Sequence, residues 1–255
     1  VFSPDGRECL WDLNTAQIRK HIILKRDEAG NWGKPEPSFL SSDWQEKEPA
    51  YSPDGLGVIY QSRRPVAGSG DINLWQRKRV GNGWGEAQPL GAPVNTPGAD
   101  EASPWLGADG SLVFCRGNNP IVPGASGGSD IFLARWEQGQ YQRVEKLGPS
   151  INSEFQEANP VLSADGRFLL FTSNRPGGYS RMMNLYVSRR QGDGRWGRAT
   201  CLSHGIGIDN IWFPSLSPDE RHLYFCGGYP TKQGYTASHY YRILVEDLIP
   251  PCFSE

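Results

Sequence analysis

The sequence predicts an all-β fold, a single five-bladed β-propeller of four-stranded antiparallel blades, and three observations point to it. The first is a turn tetrapeptide that returns five times. Ser3-Pro4-Asp5-Gly6 recurs as Ser52-Pro53-Asp54-Gly55 and, with substitutions, as Gly107-Ala108-Asp109-Gly110, Ser163-Ala164-Asp165-Gly166 and Ser217-Pro218-Asp219-Glu220. The second is the period: the Asp anchors stand 49, 55, 56 and 54 residues apart, the length of one four-stranded blade and longer than most helical repeats. The third is an alternation of large and small side chains before each anchor, the period of two that belongs to strands. No segment sustains the apolar period of a helix. One domain spanning 1–255 is expected, with repeats of about 1–45, 46–100, 101–156, 157–210 and 211–255.

Each element follows from local chemistry. Four repeats place a Pro five residues before the anchor Asp: Pro49, Pro104, Pro160 and Pro214. Large residues at Phe2, Tyr51, Leu106, Leu162 and Leu216 then neighbour small ones at Ser3, Ser52, Gly107, Ser163 and Ser217. Small side chains suit an innermost strand, where blades crowd round the axis, and the large face packs between sheets. In the tetrapeptide Pro presets φ, Asp bonds its own backbone and Gly accepts positive φ, so the first two strands form a hairpin. The second strand ends in an aromatic in every copy, Trp11, Tyr60, Phe114, Phe171 and Phe225, all expected in the core. A third strand opens with Asp71-Ile72-Asn73-Leu74, Asp130-Ile131-Phe132-Leu133 or Asn184-Leu185-Tyr186-Val187. After a turn come Trp32, Trp84, Tyr141 and Trp196, three of them in Trp-Gly pairs that begin a fourth strand and are also expected to be core. Leu90-Gly91-Ala92-Pro93-Val94-Asn95-Thr96 and Leu147-Gly148-Pro149-Ser150-Ile151-Asn152-Ser153 lead into the next blade.

Composition supports a folded, turn-rich chain. Gly (31) and Pro (20) make up a fifth of the 255 residues, against roughly 12% on average, and nine Trp, ten Tyr and ten Phe supply ample surface to bury. A net charge of −2 without a basic stripe disfavours nucleic acid as a partner. No apolar run reaches the 18 or so residues of a membrane span. The first residues show neither a signal peptide nor a starting Met, so the chain is expected to be cut from a longer precursor. Five Cys without a CxxC pair point to neither a zinc ribbon nor a complete disulfide framework, and Cys115 and Cys226 read as small core residues. The four His lack metal-ligand spacing, so no metal and no cofactor is expected. Gly124-Ala125-Ser126-Gly127-Gly128 spells a nucleophile elbow but lacks the strand-to-helix context that motif needs.

These residues resemble the WD40-like propeller repeats of the Pro-Asp type found in TolB-like bacterial envelope proteins. The match is clearest from Pro160 to Ser188, where Ser173-Asn174-Arg175-Pro176-Gly177-Gly178 and Asn184-Leu185-Tyr186 fit the family pattern. The last repeat departs from it, with Ser238-His239-Tyr240-Tyr241 in place of Asp-Ile-Tyr, and the first lacks the start of its inner strand. The resemblance implies a periplasmic or extracellular bacterial protein whose partner is a peptide, a glycan or an envelope protein. It does not specify function, since the family includes binding platforms, peptidase-gating domains, modules beside peptidoglycan-binding domains and occasional lyases.

The candidate site lies on the long-loop face, opposite the tight hairpins. Arg63, Arg64 and Arg175 start corresponding loops, where a guanidinium fork can hold a carboxylate or phosphate, or equally brace the loop against a neighbouring acid. Trp44, Tyr179, Trp212 and Tyr229 can stack on sugar rings or peptide side chains. Glu46, Glu101 and Glu157 each stand three residues before the recurrent Pro, near the channel mouth. Carboxylates round a funnel suit glycoside cleavage, but pseudo-symmetric copies have like environments, whereas acid–base work needs unlike ones. A structural, backbone-capping role is therefore favoured and no catalytic residue is assigned. The expected function is non-enzymatic binding; the alternatives are a glycoside hydrolase or polysaccharide lyase using those Glu residues, and a spacer without a ligand.

Overall fold

The computed structural model describes residues 1–14, 19–66, 72–117, 128–228, 230–231, 234–235 and 239–248. Strands β1 (Glu8–Asn14), β2 (Arg19–Lys25) and β3 (Glu36–Pro37) form the first blade, with an inner strand reduced to the Phe2↔Cys9 bridge. The second blade contains β4 (Lys47–Tyr51), β5 (Gly57–Ser62), β6 (Asn73–Val80), β7 (Gly83–Trp84) and β8 (Gln88–Pro89), the last two both pairing with β6. The third consists of β9 (Asp100–Leu106), β10 (Leu112–Gly117), β11 (Ser129–Glu137) and β12 (Gln140–Lys146). The fourth has β13 (Glu157–Leu162), β14 (Phe168–Ser173), β15 (Asn184–Arg189) and β16 (Thr200–Cys201), followed by the one-turn helix α1 (Ser203–Ile206). The fifth comprises β17 (Asp209–Leu216), β18 (His222–Gly228) and β21 (His239–Leu244), with a small ribbon of β19 (Pro230–Thr231) and β20 (Gly234–Tyr235), and ends in α2 (Val245–Leu248). All pairings are antiparallel, and the five blades form a five-bladed β-propeller, as the repeats predict.

The recurrent tetrapeptide is a side-chain-closed hairpin. The Ser3 hydroxyl donates to Asp5 Oδ1 at 2.6 Å and accepts the Glu8 N–H at 2.8 Å, while Asp5 Oδ1 also accepts the Arg7 N–H at 3.0 Å. The same bonds recur at Ser163/Asp165 and Ser217/Asp219. These bonds hold the Asp5 and Asp219 carboxyls below the usual range. In the third copy Gly107 replaces the Ser because a Cβ there would meet Leu162 and Ser111 at about 3 Å, and the Ser111 hydroxyl bonds Asp109 instead.

The core lies between blades. Leu10, Tyr51 and Tyr60 join blades 1 and 2; Ile59, Val94 and Phe114 join 2 and 3; Ile131, Leu162 and Phe171 join 3 and 4; Leu170, Ile211 and Phe225 join 4 and 5. Among the described residues no comparable cluster joins blade 5 to blade 1. That seam is spanned by Phe2 against Tyr224 (5.1 Å between ring centroids), by Trp11 edge-on to Tyr240 (4.8 Å), and by the Tyr240 hydroxyl donating to the Asp12 carbonyl (3.2 Å).

The open seam corrects one expectation. Tyr60, Phe114, Phe171 and Phe225 are at most 1% exposed, but Trp11, at the same repeat position, is 39% exposed because among the described residues blade 5 meets it only edge-on through Tyr240. The second aromatic series differs too. Trp32 is exposed, and Trp84 and Trp196 are only partly buried. Each lies under an arginine at the blade's outer edge, Arg26 at 4.3 Å, Arg79 at 4.1 Å and Arg190 at 5.4 Å from the ring centroid, so cation–π contact rather than full burial recurs there. Cys115 is buried as expected, whereas Cys226 is half-buried on the channel wall.

Candidate functional site: the central channel

At the start of the inner strand, blades 2, 3 and 4 carry a repeated ion pair. Glu46, Glu101 and Glu157 have fully buried carboxylates, 2.8 Å from Arg64 Nε, 3.0 Å from Arg116 Nε and 2.9 Å from Arg175 Nη2 respectively. Loop hydroxyls add to them: Thr96 donates to Glu101 at 2.7 Å, and Ser153 and Ser173 donate to Glu157 at 2.6 and 2.9 Å. Burial still pushes the Glu101 carboxyl above its ordinary value, more than its hydroxyl and Arg116 partners pull it down. Arg116 and Arg175 also donate to carbonyls of the preceding inter-blade loops, those of Pro93, Val94 and Ile151. In those loops Asn95 and Asn152 act as a strand edge, accepting the N–H of Leu74 or Ile131 and donating back to its carbonyl. The geometry is that of a brace between neighbouring blades. Arg116 escapes the sequence pattern because it stands two residues after its strand aromatic, where Arg64 and Arg175 stand four after theirs.

The other sequence candidates lie apart. Trp44 and Arg63 are exposed neighbours, the Arg63 N–H donating to the Trp44 carbonyl at 3.1 Å. Tyr179 is exposed and edge-on to His204 at 6.0 Å. Trp212 is partly buried against the core of blades 3 and 4, its indole N–H on Asn210 Oδ1 at 2.8 Å. Tyr229 and residues 124–127 of the elbow-like segment lie outside the described residues.

A different set of residues meets at the axis. The residue before each recurrent Pro, Glu48, Ser103, Asn159 and Phe213, has φ between 49° and 55°, a left-handed conformation that costs a non-glycine residue energy. Ladder register shifts at the same places in β4, β9, β13 and β17, so each inner strand bulges where it turns this residue to the channel. Asn159 Nδ2 donates to Glu48 Oε2 and to Ser103 Oγ, both at 3.1 Å, and Asn159 Oδ1 accepts the Phe213 N–H at 3.4 Å. A polar belt thus links blades 2, 3, 4 and 5. Above all by burial, the Glu48 carboxyl is pushed up to about 7, against the pull of its hydrogen bonds and of Lys47. The belt borders a cavity of about 640 Å³ that continues into the seam between blades 1 and 5, where Trp11, Tyr224 and Tyr240 line it. The sequence signal for this set is the variation at one repeat position: the residue before the Pro is Glu, Ser, Asn or Phe.

Fold and site define a five-bladed β-propeller with a polar-belted channel and, among the described residues, a seam between blades 5 and 1 without a shared apolar cluster. No family model matches the chain, and no curated protein matches it in sequence. Solved structures do. A thermostable family-43 glycoside hydrolase aligns over 96% of this chain and 92% of its own, with a TM-score of 0.55 and 13% identity. The endo-arabinase of Bacteroides thetaiotaomicron aligns over 94% and 90%, with a TM-score of 0.55 and 16% identity. The β-propeller domain of the Trilobed protease from Pyrococcus furiosus aligns over 96% and 66%, with a TM-score of 0.48 and 15% identity. The chain spans 65% of a hydrazine synthase and 33% of a prolyl endopeptidase that it also matches. At these identities the likeness is one of fold.

Proposed function

We propose that the chain is a binding propeller of the bacterial periplasm or cell exterior, of the WD40-like, TolB-like kind, which captures a peptide, glycan or partner protein at its long-loop face and channel. The observation that carries this reading is the channel cavity, whose size and mainly apolar, aromatic wall with a few convergent polar groups are those of a ligand site. The braced state of Glu46, Glu101 and Glu157 supports it from the other side. Three carboxylates in like, arginine-paired surroundings are poorly suited to divide acid and base roles. Glycan and peptide arrays probed with the folded chain, beside turnover of aryl glycosides, test the reading. Capture without product is expected; product release that vanishes in Glu101→Gln or Glu157→Gln, with melting unchanged, would overturn it.

A carbohydrate-active enzyme is the second reading, and Glu48 favours it. Its surroundings differ from those of the three braced carboxylates, and its raised carboxyl lies in the range useful for proton transfer near neutral pH. Glycoside turnover lost in Glu48→Gln, and unaffected by loop substitutions at Trp44 or Tyr179, is the result that would select it.

A further inference from the structure

We propose that the central cavity receives a positively charged group on an apolar stem, a guanidinium or ammonium, with its charge against Glu48 and its stem against Trp11, Tyr240 and Phe213. The inference deepens the binding reading above and rests on it. It starts from an imbalance among the inner-strand carboxylates. Glu46, Glu101 and Glu157 each have an arginine within 3.0 Å. Glu48, in β4 and two residues after Glu46, has no cation within 4.0 Å among the described residues; its partners are the Asn159 amide and the Ser103 hydroxyl, both neutral. A carboxylate partly withdrawn from water without a counter-charge is unfavourable, and a cation entering the cavity reduces that penalty.

The aromatic side chains give the second observation. Trp11 occupies a position that is core in the four other blades, yet it is 39% exposed; Phe213 and Tyr240 are 45% and 56% exposed. All three line the same cavity as Glu48. The unpacked seam leaves Trp11 and Tyr240 beside the cavity that Glu48 and Phe213 also line, and such rings suit recognition of a cation, because the negative ring faces attract it while the rings bury its stem. The cavity's other charged groups among the described residues are Lys47, Asp12 and the amino group of Val1, which donates to the Leu10 carbonyl. Its volume of about 640 Å³ accommodates a long basic side chain together with neighbouring backbone.

The source of the cation, a peptide side chain or a small free molecule, is separated by experiment. Isothermal titration would compare acetyl-Gly-Arg-Gly-amide, its citrulline counterpart, which keeps shape but loses charge, and ethylguanidinium, on the wild type and on Glu48→Gln and Trp11→Ala. The arginine peptide is expected to bind roughly tenfold or more tightly than the citrulline peptide, a preference lost in Glu48→Gln and weakened in Trp11→Ala. Ethylguanidinium matching the peptide would identify a free cation; a much weaker ethylguanidinium, a peptide. On the wild type alone, the charge preference must fade from pH 8 to pH 5 as Glu48 takes up its proton. Lys47 on the same strand, Asp12 on β1 and Cys115 on β10 are the charged and titratable groups coupled to it. This arm holds even where Glu48→Gln fails to fold. Equal binding of the two peptides, binding of none of the probes at millimolar concentration, or a preference that survives Glu48→Gln or pH 5 would each overturn the inference. If none of the probes binds but a neutral glycan does, the cation assignment falls while the binding-propeller reading stands.

Discussion

Removing the Arg175 side chain separates a structural brace from a ligand anchor. Arg175 stands 2.9 Å from Glu157 Oε1, and the Glu157 carboxylate is fully buried. In Arg175→Ala that carboxylate stays in place with hydrogen bonds from the Ser153 N–H, the Ser153 hydroxyl and the Ser173 hydroxyl, but without a counter-charge. Breaking a buried pair from one side costs about 3–5 kcal/mol, and the three surviving bonds place this case near the lower end. The guanidinium also sits 5.1 Å from the centroids of Phe171 and Tyr186, and losing those contacts adds about 0.5–1 kcal/mol. A total near 3–4 kcal/mol corresponds, for a chain of this size, to a fall in Tm of roughly 10 °C. Urea titration and thermal melts of the wild type, Arg175→Ala, Glu157→Gln/Arg175→Ala and Arg63→Ala provide the assay. The double variant should recover part of the loss, because a neutral amide needs no counter-charge, and Arg63→Ala should stay within about 0.5 kcal/mol as an exposed change. Arg175→Ala melting with the wild type, or a double variant no better than the single one, would refute the brace.

Three further predictions follow from burial and charge. Phe171→Ala, at a fully buried repeat position, should cost about 3–5 kcal/mol by denaturant unfolding, whereas Trp44→Ala and Tyr179→Ala should stay within about 0.5 kcal/mol. Trp11→Ala should destabilise far less than Tyr60→Ala, since only Tyr60 is sealed between blades, and equal losses would mean that the seam is closed in solution. For Glu48, the folded carboxyl titrates near 7 and the unfolded one near its ordinary 4.5. The folded chain therefore retains a proton that the unfolded chain releases, and this contribution is complete below pH 4.5 and is lost as pH rises through 7. The stability of Glu48→Gln relative to wild type should thus rise between pH 5 and 8, by about 1–2 kcal/mol after allowance for water in the channel. A pH-independent difference between the two unfolding midpoints would contradict the assignment.

How far the sequence could be read depended on the range of the interactions. The hairpins were legible because their bonds close within five residues, Ser3 to Glu8 for example, so the residue types that make the turn appear side by side. Glu46, Glu101 and Glu157 were legible as a repeated set, and the structure adds their arginine partners 15 to 18 residues away. The exposure of Trp32 was not legible, because a tryptophan on an outer strand can meet another sheet or only an arginine, and residue type does not distinguish the two.

By itself, then, the sequence determined the number of blades and the order of strands within them, since both follow from local turn chemistry and a repeat of about 55 residues. Tertiary structure alone decided which inner-strand carboxylate lacks a counter-charge among the described residues and which aromatic escapes the core. The bond from Asn159 to Glu48 crosses 111 residues and the one from Tyr240 to Asp12 crosses 228. Such contacts depend on how the blades close round the axis. Equivalent repeat positions acquire different surroundings there, because blades 5 and 1 meet at a seam while the other neighbours meet through packed cores.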